Sequence, residues 1–151
     1  MPSDRIETEI TIAAKPDRVW EVLTDPSFVG QWFGTASPPQ IDLTPGGTMQ
    51  LDFGTNGTFP NRIVTVDPPR SFSYRSASGF PGATPTDENS TLVEFSLTEV
   101  PDGTVLRLTE TGFDAIALPP EQKRSANYNS HAQGWPYALQ RVRDVAEQAA
   151  A

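Results

Sequence analysis

Helical patterns lie only near the two ends of this chain, and this arrangement constrains the fold more than any other feature. The first runs from Pro16 to Thr24, with a second short turn over Phe28 to Phe33, and a long one closes the chain from about Glu121 to Ala149. Short strands and Pro/Gly turns account for nearly everything between them. A lone terminal helix can bury its apolar face only against the sheet that these strands form. We therefore predict an α+β fold in which a curved antiparallel sheet wraps around the last helix and leaves an interior between them.

Composition narrows the class of protein. With 151 residues, of which 36% are hydrophobic and 20% charged, we expect a single domain spanning residues 1–151. The absence of cysteine excludes disulfides, thiolate metal sites and a cysteine nucleophile. The net charge of −8 disfavours nucleic acid and anionic membrane surfaces as partners.

Targeting signals are missing from the sequence. No apolar run approaches the ~18 residues of a membrane span, so we expect no membrane insertion. Residues 1–7 lack the basic region and apolar stretch of a secretory signal. The expected location is therefore cytoplasmic.

Alternating apolar and polar residues predict the strands. Arg5 to Ile12 is the clearest case, because its isoleucines fall on one face. The further predicted strands are Ile41–Leu43, Met49–Phe53, Thr58–Val66 with an irregularity near Pro60, Ser71–Ser76, Val93–Leu97 and Leu106–Glu110. Asn56-Gly57 predicts a hairpin turn, since both residues tolerate positive φ. Residues Ala77 to Ser90 lack apolar periodicity and predict a long loop, and such loops are often functional.

The closing helix carries one apolar stripe and one interruption. The stripe recurs at spacings of three and four and consists of Tyr128, His131, Trp135, Leu139, Val142 and Ala146. Pro136 lacks the N–H of a helical residue and clashes with the preceding turn. We therefore expect a kink or a local break between Gly134 and Pro136.

Three local motifs, spread from end to end of the chain, resemble those of a known family. They are Ala14-x4-Val19-Trp20-x2-Leu23-Thr24-Asp25-Pro26 followed by Gln31-Trp32-Phe33, Gly103-Thr104-x-Leu106-x-Leu108-x-Glu110-x-Gly112-Phe113, and Gly134-Trp135-x3-Leu139. They are similar to motifs of bacterial proteins related to the activator of Hsp90 ATPase, in the START/Bet v 1-like (SRPBCC) superfamily. The resemblance implies a helix-grip fold, in which a seven-stranded antiparallel sheet, with two short helices after its first strand, grips the last helix around a hydrophobic cavity.

The resemblance also indicates a range of functions. Members of the superfamily bind lipids, polyketides or other hydrophobic small molecules, and some act as cyclases. The chaperone-activating role belongs to a longer eukaryotic protein with an additional N-terminal domain, for which we expect no room in this chain.

Aromatic and inward-facing polar residues are the candidates for a cavity lining. The candidate ligand-binding residues are Trp32, Phe33, Phe53, Phe59, Phe72, Tyr74, Phe95, Glu110, Phe113, Tyr128, His131 and Trp135. Cavities of this kind are mostly apolar with a few placed polar groups, but any single aromatic serves equally well as simple core. Trp20 we assign to the core, on a helix packed outside the grip.

Glu110 and His131 are the weak catalytic candidates, as an acid/base pair. Glu110 shares a face with Leu106 and Leu108, where a carboxylate must find a partner or shift its pKa and become neutral. His131 is the single histidine and lies on the inner stripe of the last helix. The alternatives are that Glu110 lies at the strand end close to solvent and that a neighbouring polar group satisfies His131.

The sequence lacks the motifs of metal sites, phosphate-binding loops and serine hydrolases. One histidine without cysteine makes a zinc site improbable, and the acidic residues show no hard-cation spacing. No glycine-rich loop joins a strand to a helix, and no Gly-x-Ser-x-Gly elbow occurs. We expect no metal and no cofactor.

Three hypotheses of function follow from these observations. The first is binding of an apolar or amphipathic small molecule, polyketide-like or lipid-like, between the sheet and the last helix. The second is a cyclase or hydrolase that uses Glu110 and His131 in the same cavity. The third is a stress-related, co-chaperone-like interaction module, against which the polar outer face of the sheet argues. A homodimer through an edge strand or the helix is a further option.

Overall fold

The structure is a computed structural model that describes residues 5–33, 39–77, 85–86, 89–113 and 128–148, without the side chains of residues 56 and 128–133. The strands are β1 (Arg5–Ile12), β2 (Gln40–Ile41), β3 (Thr48–Asp52), β4 (Thr58–Asp67), β5 (Ser71–Ser76), β6 (Thr91–Val100) and β7 (Gly103–Thr111). The helices within these residues are α1 (Pro16–Thr24), α2 (Pro26–Phe33) and α3 (Tyr128–Gln148). None of them is long and apolar enough to cross a membrane.

The strands form one antiparallel sheet in the order β1-β7-β6-β5-β4-β3-β2. Helix α3 packs against β1, α1 and α2 on the concave side of this sheet. The predicted helix-grip fold, with a seven-stranded sheet and two short helices after the first strand, is confirmed. Most of the predicted loop at 77–90 lies outside the described residues.

A capped junction sets the angle between the two short helices. Helix α1 ends at Thr24 because Asp25 precedes a proline, which disfavours helical backbone at Asp25. The Asp25 carboxylate then caps α2 by accepting hydrogen bonds from the backbone N–H and the hydroxyl of Ser27, at 2.9 and 2.6 Å. These bonds lower the pKa of Asp25. Helix α2 therefore begins at Pro26, two residues before the predicted turn.

Helix α1 lies inside the grip, which corrects the expectation that it packs outside. It contacts β6, β7 and α3, and the ring of Trp20 meets the inward-facing ring of Phe72 edge-on at 5.7 Å. The physical reason is its buried stripe of Val19, Val22 and Leu23, which needs an apolar surface that the outer face of the sheet does not offer.

Strand β4 is irregular at a different place from the one predicted. It runs straight through Pro60, which pairs with Gln50 of β3, and its register shifts between Ile63 and Thr65. Strand β5 ends at Ser76, so β4 has a single neighbour at Pro60 and the missing N–H costs little there.

The β3–β4 hairpin is confirmed, but its turn differs from the expected one. A 3-10 turn spans Gly54–Asn56. Gly54 and Gly57 have positive φ, whereas no described non-glycine residue does. The glycines therefore supply the left-handed backbone on which the Asn56-Gly57 prediction rested.

Helix α3 continues through Pro136, so of the predicted kink or local break the break is wrong and the kink stays a prediction. Trp135, Leu139 and Val142 are buried on its inner face, and this packing holds the turn in helical form despite the missing N–H. The predicted beginning of this helix, 121–127, lies outside the described residues.

Candidate functional site

A cavity of about 310 Å³ lies between the concave face of the sheet and the first half of α3. The described residues that line it come from α2, from strands β3 to β7 with the turn after β3, and from α3. They are Phe33, Leu51, Phe53, Phe59, Asn61, Tyr74, Ser76, Val93, Glu110, Gly134, Trp135 and Ala138. Most of this surface is carbon, so the cavity suits an apolar occupant.

Aromatic rings surround the mouth of the cavity. Phe33, Phe53 and Phe59 are each partly exposed. The ring centroid of Phe53 lies 6.4 Å from that of Phe33 and 5.9 Å from that of Phe59, both in edge-to-face geometry. Phe33 is held in place because it stacks on Trp32, whose indole N–H donates to the carbonyl of Val22 at 2.9 Å.

Sheet register builds the floor of the cavity. Tyr74 of β5 pairs with Val93 of β6, and Val93 pairs with Glu110 of β7. Directly opposed residues of antiparallel strands point to the same face. These three side chains, all buried, therefore form one row across the concave side.

Glu110 is fully buried and its two carboxyl oxygens have separate partners. Oε1 accepts a hydrogen bond from the indole N–H of Trp135 at 2.6 Å, and Oε2 accepts one from the Thr91 hydroxyl at 2.5 Å. The contact with Trp135 ties the last helix to β7. The alternative position near solvent is thereby excluded for Glu110.

Tyr74 places a protonated phenol beside this carboxyl group. Burial raises the pKa of Tyr74 well above its ordinary value, and the nearby charge of Glu110 raises it further. The hydroxyl therefore keeps its proton at neutral pH and can donate a hydrogen bond.

Asn61 of β4 adds a polar group at the other side of the floor. Its amide nitrogen donates to the carbonyls of Met49 and Phe59, at 3.1 and 3.2 Å. Its side-chain oxygen accepts no hydrogen bond from the described residues, although Asn61 is 1% exposed.

The structure brings together six of the predicted ligand-binding residues around the cavity: Phe33, Phe53, Phe59, Tyr74, Glu110 and Trp135. Trp32, Phe72 and Phe95 instead lie in the hydrophobic core beside it, where Phe72 and Phe95 stack at 5.1 Å. Phe113 is also part of that core. The side chains of Tyr128 and His131 lie outside the described residues, and both positions belong to the first turn of α3.

Sequence reasoning missed the polar residues Asn61, Ser76 and Thr91. Asn61 lies between Phe59 and Ile63 at the inward positions of β4, so alternation alone marks it as a polar residue on a buried face. Ser76 and Thr91 are paired across β5 and β6. They required the register, which the sequence does not supply.

Metal-binding clusters are absent from the described part of the chain: no three Asp, Glu or His side chains there converge as metal ligands.

A family model supports the resemblance drawn from the motifs. The model of the Activator of Hsp90 ATPase homolog 1-like protein family matches residues 13–147. No curated protein matches the sequence.

Solved structures share the fold at low sequence identity. Protein MLL2253 from Mesorhizobium loti is 21% identical with a TM-score of 0.74, over 95% of this chain and 97% of that one. The Aha1 dimer from Colwellia psychrerythraea is 20% identical with a TM-score of 0.70, over 95% and 96% of the two chains. DynU16, from the dynemicin biosynthetic locus, is 24% identical with a TM-score of 0.72, and the match covers 97% of this chain but 48% of DynU16.

Proposed function

This chain belongs to the Activator of Hsp90 ATPase homolog 1-like family, and from that premise we propose that it binds an apolar or amphipathic small molecule, polyketide-like or lipid-like. The cavity between the sheet and α3 is the binding site. The observation that carries the proposal is this cavity of about 310 Å³, with aromatic rings at its mouth and few polar groups on its floor. The likeness to DynU16, a protein of a biosynthetic locus, is compatible with a small-molecule ligand.

Volume sets the size of the ligand. An apolar protein cavity of ~150 Å³ accommodates benzene, so the present cavity of about 310 Å³ has room for roughly two fused rings or a short branched chain. Burial of apolar ligand surface contributes about 25 cal/mol per Å². The half-buried rings of Phe33, Phe53 and Phe59 would cover the ligand at the mouth.

Catalysis is the weaker alternative. It depends on Glu110 and His131, and the described contacts of Glu110 are hydrogen bonds that both of its oxygens accept from Trp135 and Thr91. A carboxyl group held in this way is suited to orienting a ligand and fixing α3. A general base needs an oxygen directed at substrate.

An interaction module is also less favoured. Among the described residues, the exposed large hydrophobic side chains are Val64 on β4 and Tyr137 on α3. Two separate side chains do not form the contiguous apolar patch that a protein partner would cover. A cytoplasmic location remains our proposal, which the cysteine-free sequence fits.

Filling the cavity tests the proposal. Ala138 lines the cavity from α3 and is partly buried. We expect Ala138→Phe to occupy the cavity and to weaken binding of the neutral fluorescent probe 2-naphthol by about tenfold or more, because ligand and ring compete for the same volume. Probe fluorescence measured against protein concentration gives the dissociation constant.

Gln140→Phe is the matched control. Gln140 lies on the same helix but is exposed, so the same ring added there should leave binding unchanged. Equal binding by wild type and both variants would place the probe outside the cavity and count against the proposal. Native mass spectrometry of protein from its own host would then show whether any ligand accompanies it.

A further inference from the structure

Asn61 gives the apolar cavity one unpaired polar atom, and we infer from it that the ligand presents a hydrogen-bond donor, a hydroxyl or N–H group, to Asn61 Oδ1. This inference rests on the proposed function and adds the chemical class of the ligand. It predicts weaker binding of ligands that are purely hydrocarbon or that carry only acceptors at this end.

The contacts of Asn61, a lining residue of the cavity, fix which of its two polar atoms is left without a partner. Its nitrogen lies within hydrogen-bond distance of two carbonyl oxygens, those of Met49 and Phe59. A carbonyl oxygen only accepts hydrogen bonds. If the oxygen and nitrogen of the amide were exchanged, the amide oxygen would therefore face two carbonyl oxygens without a hydrogen between them. Oδ1 is therefore the atom left over, and no described group donates to it.

Burial makes this unpaired oxygen significant. Asn61 is 1% exposed, and a buried acceptor without a donor loses the hydrogen bonds it would make to water. A ligand donor at this position restores the lost interaction, whereas a ligand acceptor repels the oxygen. The site thus discriminates between ligands of the same shape by the presence of one hydrogen atom.

Other residues that line the cavity also favour a ligand that carries a hydrogen-bond donor. Phe59 lies two residues before Asn61 on β4 and lines the cavity with it, so a ring packed on Phe59 brings its substituent to Asn61. On β7, the oxygens of Glu110 also act as acceptors. A ligand carboxylate would meet acceptors at both ends of the floor. The favoured class is therefore a neutral phenol, alcohol or amine-bearing ring compound.

Two probes of equal ring size test the inference on the wild-type protein. We expect 2-naphthol, which carries a donor, to bind about tenfold more tightly than 2-methoxynaphthalene, which carries only an acceptor. Isothermal titration calorimetry measures both constants. Equal affinities would overturn the donor inference and leave the proposed function standing. If neither probe bound, both the inference and the proposed function would be rejected.

The variant Asn61→Leu tests whether Asn61 Oδ1 causes the preference for the probe that carries a donor. Leucine has a similar size but no acceptor, so we expect the advantage of 2-naphthol to disappear while 2-methoxynaphthalene still binds. Thr65→Val is the control, because Thr65 lies on the same strand with its hydroxyl 2.7 Å from that of Ser73, away from the cavity lining. A preference that survives in Asn61→Leu would contradict the assignment. If that variant does not fold, the wild-type comparison still decides.

Discussion

At the scale of single residues, Glu110 is the most constrained polar group of the cavity. It is fully buried on β7, where the two inward residues before it are Leu106 and Leu108. A carboxyl group in such a place is stable only if donors surround it. Thr91 and Trp135 supply them from a neighbouring strand and from the last helix. Glu110 thereby joins the sheet to α3 at the edge of the cavity.

Two threonine-to-valine variants measure how much the hydrogen bond from Thr91 to Glu110 contributes to stability. Thr91 donates to the Glu110 carboxylate at 2.5 Å, and Thr104 donates to the carbonyl of Ala14 at 2.7 Å. Valine removes the hydroxyl and keeps the shape. We expect Thr91→Val to lower the free energy of unfolding by about 1.5–3 kcal/mol and Thr104→Val by about 0.5–1.5 kcal/mol, because charged acceptors form stronger hydrogen bonds.

Urea denaturation of the two variants provides the comparison. Both threonines are buried, so desolvation affects them alike. Equal losses would mean that the hydrogen bond to Glu110 is no stronger than one to a backbone carbonyl, and the charge-assisted interpretation would be wrong.

At the scale of elements, the two halves of α3 differ in what they contact. The later half buries Leu139, Val142 and Ala146 in the core. Arg18 of α1 lies 3.4 Å from the carbonyls of Val145 and Ala146, where a positive charge complements the helix dipole. The earlier half carries Gly134, Trp135 and Ala138 over the cavity. Packing thus anchors the later half of the helix in the core, and the described residues of the earlier half line the cavity.

A substitution at Gly134 tests whether the earlier half of α3 forms part of the binding cavity. A methyl group added there would meet no described atom within 4 Å, and alanine favours helix over glycine by about 1 kcal/mol. We expect Gly134→Ala to raise the free energy of unfolding by about that amount. Because Gly134 lines the cavity and the space beside it is open, the new methyl group takes volume from a ligand, and the same variant should bind 2-naphthol more weakly than wild type.

Urea denaturation and probe titration of this one variant separate the two effects. A variant that is less stable than wild type would show that the glycine is needed for the backbone geometry beside Pro136. Unchanged probe binding would place the ligand away from this part of the wall.

At the scale of the whole molecule, the sheet has a well-covered centre and one short edge. Strands β6 and β7 have neighbours on both sides and supply many buried residues. Strand β2 spans Gln40–Ile41 and pairs only with β3. Local opening requires less free energy where fewer contacts are broken. We expect hydrogen–deuterium exchange, followed by mass spectrometry, to be slowest in β6 and β7 and fastest in β2.

Protection of β2 as strong as that of β6 would contradict this order. It would indicate that another chain covers the edge, as in a homodimer formed through an edge strand. Sedimentation at several protein concentrations would then identify the assembly.

Sequence alone was a good guide to which residues face inward. Alternation placed Phe53, Tyr74 and Glu110 on one side of their predicted strands, and helical spacing placed Trp135 on the inner stripe. It did not separate the cavity lining from the core, since Phe72 and Phe95 have the same pattern and fill the interior instead. Whether an inward ring meets another ring or empty space depends on the elements opposite it.

The amino-acid sequence by itself determined the order of the elements, the antiparallel sheet around the last helix and the apolar character of the interior. These follow from local periodicity, turn residues and prolines, each of which acts over a few neighbouring positions. Tertiary structure alone decided the partners of Glu110, the unpaired oxygen of Asn61 and the place of α1 inside the grip. Those depend on strand register and on contacts between distant residues, such as the 25 positions that separate Glu110 from Trp135, which no local pattern encodes.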